Sequence, residues 1–397
     1  MIIIEYKART KPAQAATIDA AIRTAGFVRN KCLRLWMDAK DSDTKVGKYD
    51  LYKYTTQLRK EFEWAGQLNS TAVQAASERA WAAISRFYDR VKTGQKPVGY
   101  PKFKSMRSVE YKQSGWKVEG KSITFTDKNN IGKLRLIGTN DIHHYPEDLI
   151  RRVRLLKRAD GYYVQFVVDI DRIVDLPPTG NTVGIDVGLE SFYTDSRGTK
   201  VENPRFYRKA EVRIKKASRS LSRKKRGSNN RRKSIQRLAK AHLKVSRQRK
   251  DFAVKQANHV MQSNDFVVCE DLKVRNMVRN SRLAKSISDA GWSIFRQWLQ
   301  YYAEVYGRVY TEIPPHYTSQ TCSSCGVKVV KTLSERVHSC SCGAELDRDH
   351  NAALNILRMG LNKVGQGVPK PNAWGEDTST TGAQASVASN LVEPRIS

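Results

Sequence analysis

The residues best placed to do chemistry are four cysteines and three acids. Cys322 and Cys325 form a C-x-x-C pair followed by glycine, fourteen residues intervene, and Cys340 and Cys342 form a C-x-C pair, again followed by glycine. Four thiolates at this spacing make a closed tetrahedral Zn²⁺ site with no position left for a substrate, so the ion's role is structural. The second pair is one residue shorter than the usual knuckle, and His338 stands near enough in sequence to substitute for one thiolate. Cys32 and Cys269 lie inside apolar patterns and read as small buried thiols.

The acids are spread more widely. Asp186 interrupts the apolar run Val183-Gly184-Ile185-Asp186-Val187, and Glu270 closes the run Phe266-Val267-Val268-Cys269. Asp349 opens an apolar-striped helix and shares its face with Ala352, Ala353 and Ile356, whereas Asp347 leads towards His350, Asn351 and Leu354 and suits a helix cap. An inward carboxylate is costly unless a metal ion or a basic partner balances it. Each acid also has a plainer reading: Asp186 as a strand-end turn residue, Glu270 as the partner of a neighbouring cation. Taken together, strand acid, strand acid and helix acid follow the order of an RNase H-like nuclease core. There, two Mg²⁺ ions about 4 Å apart clamp the attacking and leaving oxygens of a phosphodiester. Asp186, Glu270 and Asp349 are thus the candidate catalytic residues and Mg²⁺ ligands.

The composition supplies a reason to meet phosphodiesters. With 71 Lys and Arg against 39 Asp and Glu in 397 residues, the formal net charge is +32, which calls for a polyanionic partner. Residues 205–250 alone hold twenty Lys or Arg against one acid, Glu211. Ile214, Ala217 and Leu221 mark one helix there and Ile235, Leu238, Val245 and Phe252 a second, with RGSNN as the turn between them. Arg223, Lys224, Lys225, Arg226, Arg231, Arg232 and Lys233 around this turn are candidate nucleic-acid contacts. So are Lys102 and Lys104, which flank Phe103 in the loop PKFKSMR. No run of eighteen apolar residues exists and the N-terminus lacks the pattern of a signal peptide, so the expectation is a chain of the reducing cytoplasm with no membrane partner.

Elements that would position these residues follow from periodicity. Ile2 to Tyr6 reads as a strand, and helices follow from Pro12, over Asp50–Phe62, and after a cap at Asn69 or Ser70. The polar face of the last of these, with Gln74, Arg79 and Arg86, suits either solvent or nucleic acid. From Gly99 the pattern alternates as short strands, near 117–118, 122–125, 133–136, 153–156 and 162–168, which predicts a small antiparallel β-barrel or sandwich. The lone first strand is expected to join it, making the helices an insertion. DRIVDLPPTGN reads as a linker, a covered central strand falls at 265–272, an amphipathic helix carries Trp292 to Val305, and the residues beyond about 363 have the composition of a disordered tail.

GIDVGL at 184–189, VVCEDL at 267–272, TSQTCSSCG at 318–326 and CGAELDRDHNAALNI at 342–356, with GYPKFKS at 99–105, together resemble the TnpB proteins of bacterial and archaeal insertion sequences. Those proteins are related to the type V CRISPR effector nucleases. The resemblance implies an RNA-guided DNA endonuclease with an α+β multidomain fold. A wedge-like β-barrel (1–10 and 99–172) would hold an inserted helical recognition block (11–98), followed by a linker (173–181). A RuvC-like domain (182–320 and 344–362) would carry the basic helical hairpin (205–255), and a zinc ribbon (321–343) would interrupt it, ahead of a tail (363–397). It implies as partners a noncoding guide RNA from the transposon end, double-stranded target DNA read beside a short motif, and the companion transposase of the element. The family's catalytic acids fall on Asp186, Glu270 and Asp349. Two rivals stand beside this reading: a cleavage-inactive RNA-guided DNA-binding regulator on the same scaffold, and a DNA transposase that acts without RNA.

Overall fold

The computed structural model describes residues 1–42, 44–332 and 335–365; the tail expected to be disordered lies, from residue 366, outside the described residues. Two compact units divide at Arg172 and Ile173. No described helix is long and apolar enough to cross a membrane.

The first unit runs β1 (Ile2–Arg9), α1 (Pro12–Asp41), α2 (Lys48–Glu61), the single turn α3 (Glu63–Gly66) and α4 (Ser70–Lys92). The strands β2 (Ser108–Tyr111), β3 (Trp116–Glu119), β4 (Ser122–Phe125), β5 (Lys133–Ile137), β6 (Ile150–Arg158) and β7 (Gly161–Val168) follow. All pair antiparallel in the order β2-β6-β7-β1-β5-β4-β3. β1 lies at the centre because Ile4, Tyr6 and Ala8 alternate into the core while both its edges find partners, β7 along Ile2–Ala8 and β5 along Lys7–Arg9. The helices leave the sheet after β1 and the chain returns at β2.

The barrel expected from the alternating strands is an open one: β2 and β3, the two edges, are not paired to each other. A single 3₁₀ turn at 113–115 joins them, and the start of α4 stands beside it. Lys112 N–H donates to Thr71 Oγ1 at 3.3 Å, and a Cβ on Gly115 would come within 2.8 Å of that oxygen. Asn69 caps α4 by accepting from Thr71 N–H, and its own N–H donates to Asp127, which also accepts from Tyr111 Oη. Arg79 is engaged inside the unit, donating to the Ser108 carbonyl and to Glu110.

The second unit contains β8 (Thr182–Val187), β9 (Ser191–Asp195), β10 (Lys200–Glu202), α5 (Phe206–Ser222), α6 (Asn229–Ser263), β11 (Phe266–Glu270), the short α7 (Val274–Met277) and α8 (Ala284–Ala290), α9 (Trp292–Tyr306) and β12 (Val309–Ile313). After these come β13 (Val337–Ser339), β14 (Glu345–Asp347) and α10 (Arg348–Val364). Its main sheet has the order β10-β9-β8-β11-β12, with β8, β11 and β12 parallel and the other two strands antiparallel. Alternation divides β8 and β11 between two faces. Val183, Ile185, Val187, Val267 and Cys269 pack with α6 and α9, whereas Phe266 and Val268 pack with Ile356 of α10. β11 is buried along its whole length, as its continuous apolar run predicts.

The basic hairpin consists of α5 and the first half of α6, joined through Ile214, Ala241 and Val245. Its second arm does not stop at 255. α6 continues to Ser263, where Ala253, Val254, Ala257, Val260 and Met261 anchor it in the core. Likewise α10 runs to Val364, past the boundary at 362 drawn from sequence.

Candidate active site and metal centre

Register brings two of the acids together. Ile185 lies opposite Cys269 in the parallel pair β8–β11, so Asp186 and Glu270 follow side by side at the same ends of adjacent strands. Two residues beyond Gly184 and Val268 respectively, both belong to the face covered by α10. That helix lies unusually close. A Cβ on Gly184 would stand 2.2 Å from the Ala353 carbonyl oxygen, and one on Gly360 would stand 2.3 Å from Val268 Cγ2. Glycine in a strand and glycine in a helix, each unfavourable by itself, thus permit the approach. One turn before Ala353, Asp349 comes over the strand ends.

The electrostatics match that convergence. Burial, then the charges of Glu270 and Asp349, push the Asp186 carboxyl well above its ordinary range, and Arg348 pulls in the opposite direction. Burial also raises Glu270, against a 2.6 Å hydrogen bond that it accepts from Thr318 Oγ1. Asp349 meets Arg348 Nε at 3.4 Å. Asp347 is occupied differently. It caps α10, accepting from the N–H groups of Asp349 and His350, and it pairs with Lys200 Nζ at 2.6 Å. Burial opposes its ionised form, but Lys200 and these N–H groups prevail and hold its pKa below the usual value.

The surplus of negative charge at Asp186, Glu270 and Asp349 suits hard divalent cations, which carboxylate oxygens bind well. Among the described residues, the four cysteines are the only group of three or more His, Cys, Asp or Glu whose ligand atoms all lie within 4.8 Å of one another.

The sulfurs of Cys322, Cys325, Cys340 and Cys342 converge beside this centre. Cys322 and Cys342 are 3.7 Å apart and Cys325 and Cys340 3.5 Å. A tetrahedron with bonds of about 2.3 Å has edges of about 3.8 Å, so the set fits Zn²⁺. The short second pair has a local cause: Cys340 and Cys342 occupy the turn of the β13–β14 hairpin, where Cys340 N–H donates to the Ala344 carbonyl and Gly343 takes φ +87°. Among the described residues, the group of ligand atoms within 4.8 Å of one another is the four sulfurs, without His338. His338 is buried on β13 with Lys331 at its Nδ1. The Cys322 thiol is lowered to about 5, chiefly by the Cys325 N–H, with His338 a lesser contributor. β14 ends on Asp347, so the ribbon's last strand at 345–347 lies past the expected boundary of 343 and runs straight into the acid-bearing helix.

The basic candidates are mostly free to face outward. Arg223, Lys224, Lys225, Arg226, Arg232 and Lys233 are exposed around the α5–α6 turn. Arg231 is the exception, because its guanidinium donates to the carbonyls of Leu221 and Lys224 and closes the turn. Lys102 and Lys104 are exposed on a loop whose backbone is fastened to α1: Arg29 donates to the Lys102 carbonyl, and Asn30 exchanges hydrogen bonds with Lys104. Arg34 lies over Phe103, 5.0 Å from the ring centre.

Sequence reasoning gave no role to Thr318, Asn351, Asn355, Gly184 or Gly360. Gly360 carried the clearest signal, since glycine interrupts an otherwise strong helical stripe.

Known proteins share this arrangement of sequence. The OrfB_IS605 family, described as a probable transposase, matches residues 165–281, and the TNB domain of Cas12f1-like proteins matches residues 292–356. A Streptomyces pristinaespiralis protein named "Putative RNA-guided DNA endonuclease" is 33% identical, over 90% of this chain and 89% of its own. TnpB-like protein L79 of Acanthamoeba polyphaga mimivirus is 27% identical over 50% of this chain and 41% of its own. A solved Cas12f1–sgRNA–target DNA complex covers 86% of this chain and 82% of that one with a TM-score of 0.54 at 12% identity, a likeness of fold. Given the extent of the Streptomyces match and the motifs at 184–189, 267–272, 318–326 and 342–356, the chain belongs to the TnpB family.

Proposed function

We propose that this protein is an RNA-guided DNA endonuclease whose active centre is Asp186, Glu270 and Asp349. The observation that carries the reading is the meeting of these three carboxylates on one face of the β8–β11 pair, with less positive charge around Asp186 and Glu270 than their burial requires. The strand order and directions of the sheet support an RNase H-like, RuvC-like assignment, and the cysteine cluster supports a zinc ribbon inserted in it. Two Mg²⁺ ions held by these acids are the cofactor that this reading requires.

The residues then divide the work. Magnesium, when bound, supplies Lewis-acid activation of water and charge to stabilise the departing 3′ oxygen. Asp186 and Glu270 hold their carboxylates at fixed positions on a rigid sheet edge, and α10 brings Asp349 to the same point. Asp347 secures the first turn of α10. Arg348 partly offsets the acids' repulsion. The exposed cations of the α5–α6 hairpin and of the 101–105 loop bind the phosphates of guide RNA, heteroduplex or target DNA, which adds affinity without sequence information. Pairing with a noncoding guide RNA from the transposon end supplies the specificity, and the first unit reads the motif beside the target. The protein works in the prokaryotic cytoplasm at the nucleoid, where the companion transposase of the same element is a further partner.

Purified protein with its copurifying RNA, Mg²⁺ and matched double-stranded DNA tests the proposal. The expected result is cleavage that Asp349→Ala abolishes while binding persists. Binding without cleavage by the unaltered chain would make it a regulator, and cleavage that survives removal of the RNA would make it an RNA-independent transposase.

A further inference from the structure

The segment between β12 and the first cysteine pair has no assigned role, although its Thr318-Ser-Gln-Thr321 stretch lies between the acidic centre and the thiolate cluster. Thr318 is buried and donates from Oγ1 to Glu270 Oε1 at 2.6 Å. Its backbone is fixed from the other side by α10. The buried Asn355 donates from Nδ2 to the carbonyls of Thr318 (2.9 Å) and Thr321 (2.6 Å). Asn351, equally buried, donates to the Thr321 carbonyl at 2.8 Å and accepts from Ser323 N–H at 2.9 Å. Arg358 holds the Asn355 side-chain oxygen at 2.7 Å. Immediately before Thr318, Tyr317 adopts φ +60°, a left-handed conformation that a bulky residue takes only when its surroundings impose it. Lys328 Nζ lies 3.5 Å from its ring centre.

Resting on the nuclease reading above, we propose that Thr318 is a positioning residue that orients the Glu270 carboxylate for divalent cations, and that Asn351 and Asn355 hold it there by clamping its loop to the helix bearing Asp349. The argument is geometric. A glutamate side chain has three rotatable bonds, and one oxygen tied by a short hydrogen bond leaves the other directed at the centre. The donor of that bond is itself immobilised by the helix that supplies the third acid, so two of the three acids share one support. Hydrogen-bond partners of metal-binding side chains commonly affect metal affinity or activity by about 10–100-fold.

The test uses the zinc-loaded protein with its RNA, comparing Thr318→Val and Thr318→Ser by Mn²⁺ titration followed by electron paramagnetic resonance, and by cleavage kinetics on matched DNA. Thr318→Val is expected to weaken Mn²⁺ binding and lower kcat by about 10–100-fold, with KM for DNA and the melting temperature unchanged. Thr318→Ser, which keeps the hydroxyl, should restore both. If Thr318→Val disturbs folding, Thr318→Ala removes the hydroxyl without strain and is judged by the same two readouts. Unchanged Mn²⁺ affinity in the valine and alanine variants would overturn the inference, as would equal impairment of valine and serine variants. Asp186→Ala separates the two levels. A dead Asp186→Ala beside a normal Thr318→Val removes only the role of Thr318, whereas an active Asp186→Ala removes the acidic centre itself.

Discussion

Both units bury carboxylates, and they do so in opposite ways. In the first unit Glu110, only 4% exposed, is met by Arg79 at 3.1 Å and by Arg152 and Arg154 at 2.6 Å each. Burial alone would raise its pKa, but Arg152, Arg154 and Arg79 reverse the shift and bring it down to about 2. In the second unit burial and like charges act in the same direction on Asp186, against Arg348. Balanced acids serve the fold. Acids left short of positive charge keep repulsion in reserve for a ligand that relieves it.

The largest expected effect sharpens that contrast. Asp186→Asn should abolish cleavage while leaving the melting temperature unchanged or raising stability on the order of 1 kcal/mol, because a repelling charge is removed; a marked loss of stability would erase the distinction between the two sites. Glu110→Gln should do the reverse. It leaves Arg79 and Arg154 short of their partner, while Arg152 keeps Glu78, and should destabilise the first unit by about 3–5 kcal/mol in denaturant titrations, with normal cleavage per folded molecule. Because the folded pKa of Glu110 is depressed, its contribution is fully present above its ordinary value of 4.5 and is lost as pH falls through about 2, so the stabilities of wild type and variant should converge in acid. The smallest effect concerns an acid that is neither buried nor in surplus. Asp347→Ala should cost about 1 kcal/mol as a lost helix cap and spare cleavage; loss of cleavage with intact stability would move Asp347 into the centre.

What the sequence discloses depends on how local the determining physics is. Alternation along Val183–Val187 and Phe266–Glu270 separates the two faces of the sheet, and a 3.6-residue period distinguishes Asp349 from Asp347, so the surroundings of these acids are legible in the order of residues alone. Relations between distant segments are harder to see. Nothing near Arg79 announces Glu110, thirty-one residues on. Nothing in RGSNN tells that Arg231 closes its own turn. At the open edge between β2 and β3, Thr71 of a helix stands at the short turn joining them, and nothing in that turn announces it. Thr318 needs Glu270 forty-eight residues away and Asn355 thirty-seven residues away to acquire a meaning.

The glycines beneath α10 set the width of the centre in a particular way. At Gly184 the strand touches the main chain of the helix, and at Gly360 the helix receives the branched end of Val268. Side-chain rotation cannot alter the first contact, and Val268, branched at Cβ and stiff at χ1, alters the second little, so the backbone largely gauges how close Asp349 comes to Asp186 and Glu270. A Cβ at either glycine would instead push a helix of seventeen residues from the sheet and carry Asp349 with it. The reach of Asp349 is then a property of the packing between two secondary-structure elements, sensitive to one methyl group added at a glycine that is itself no ligand.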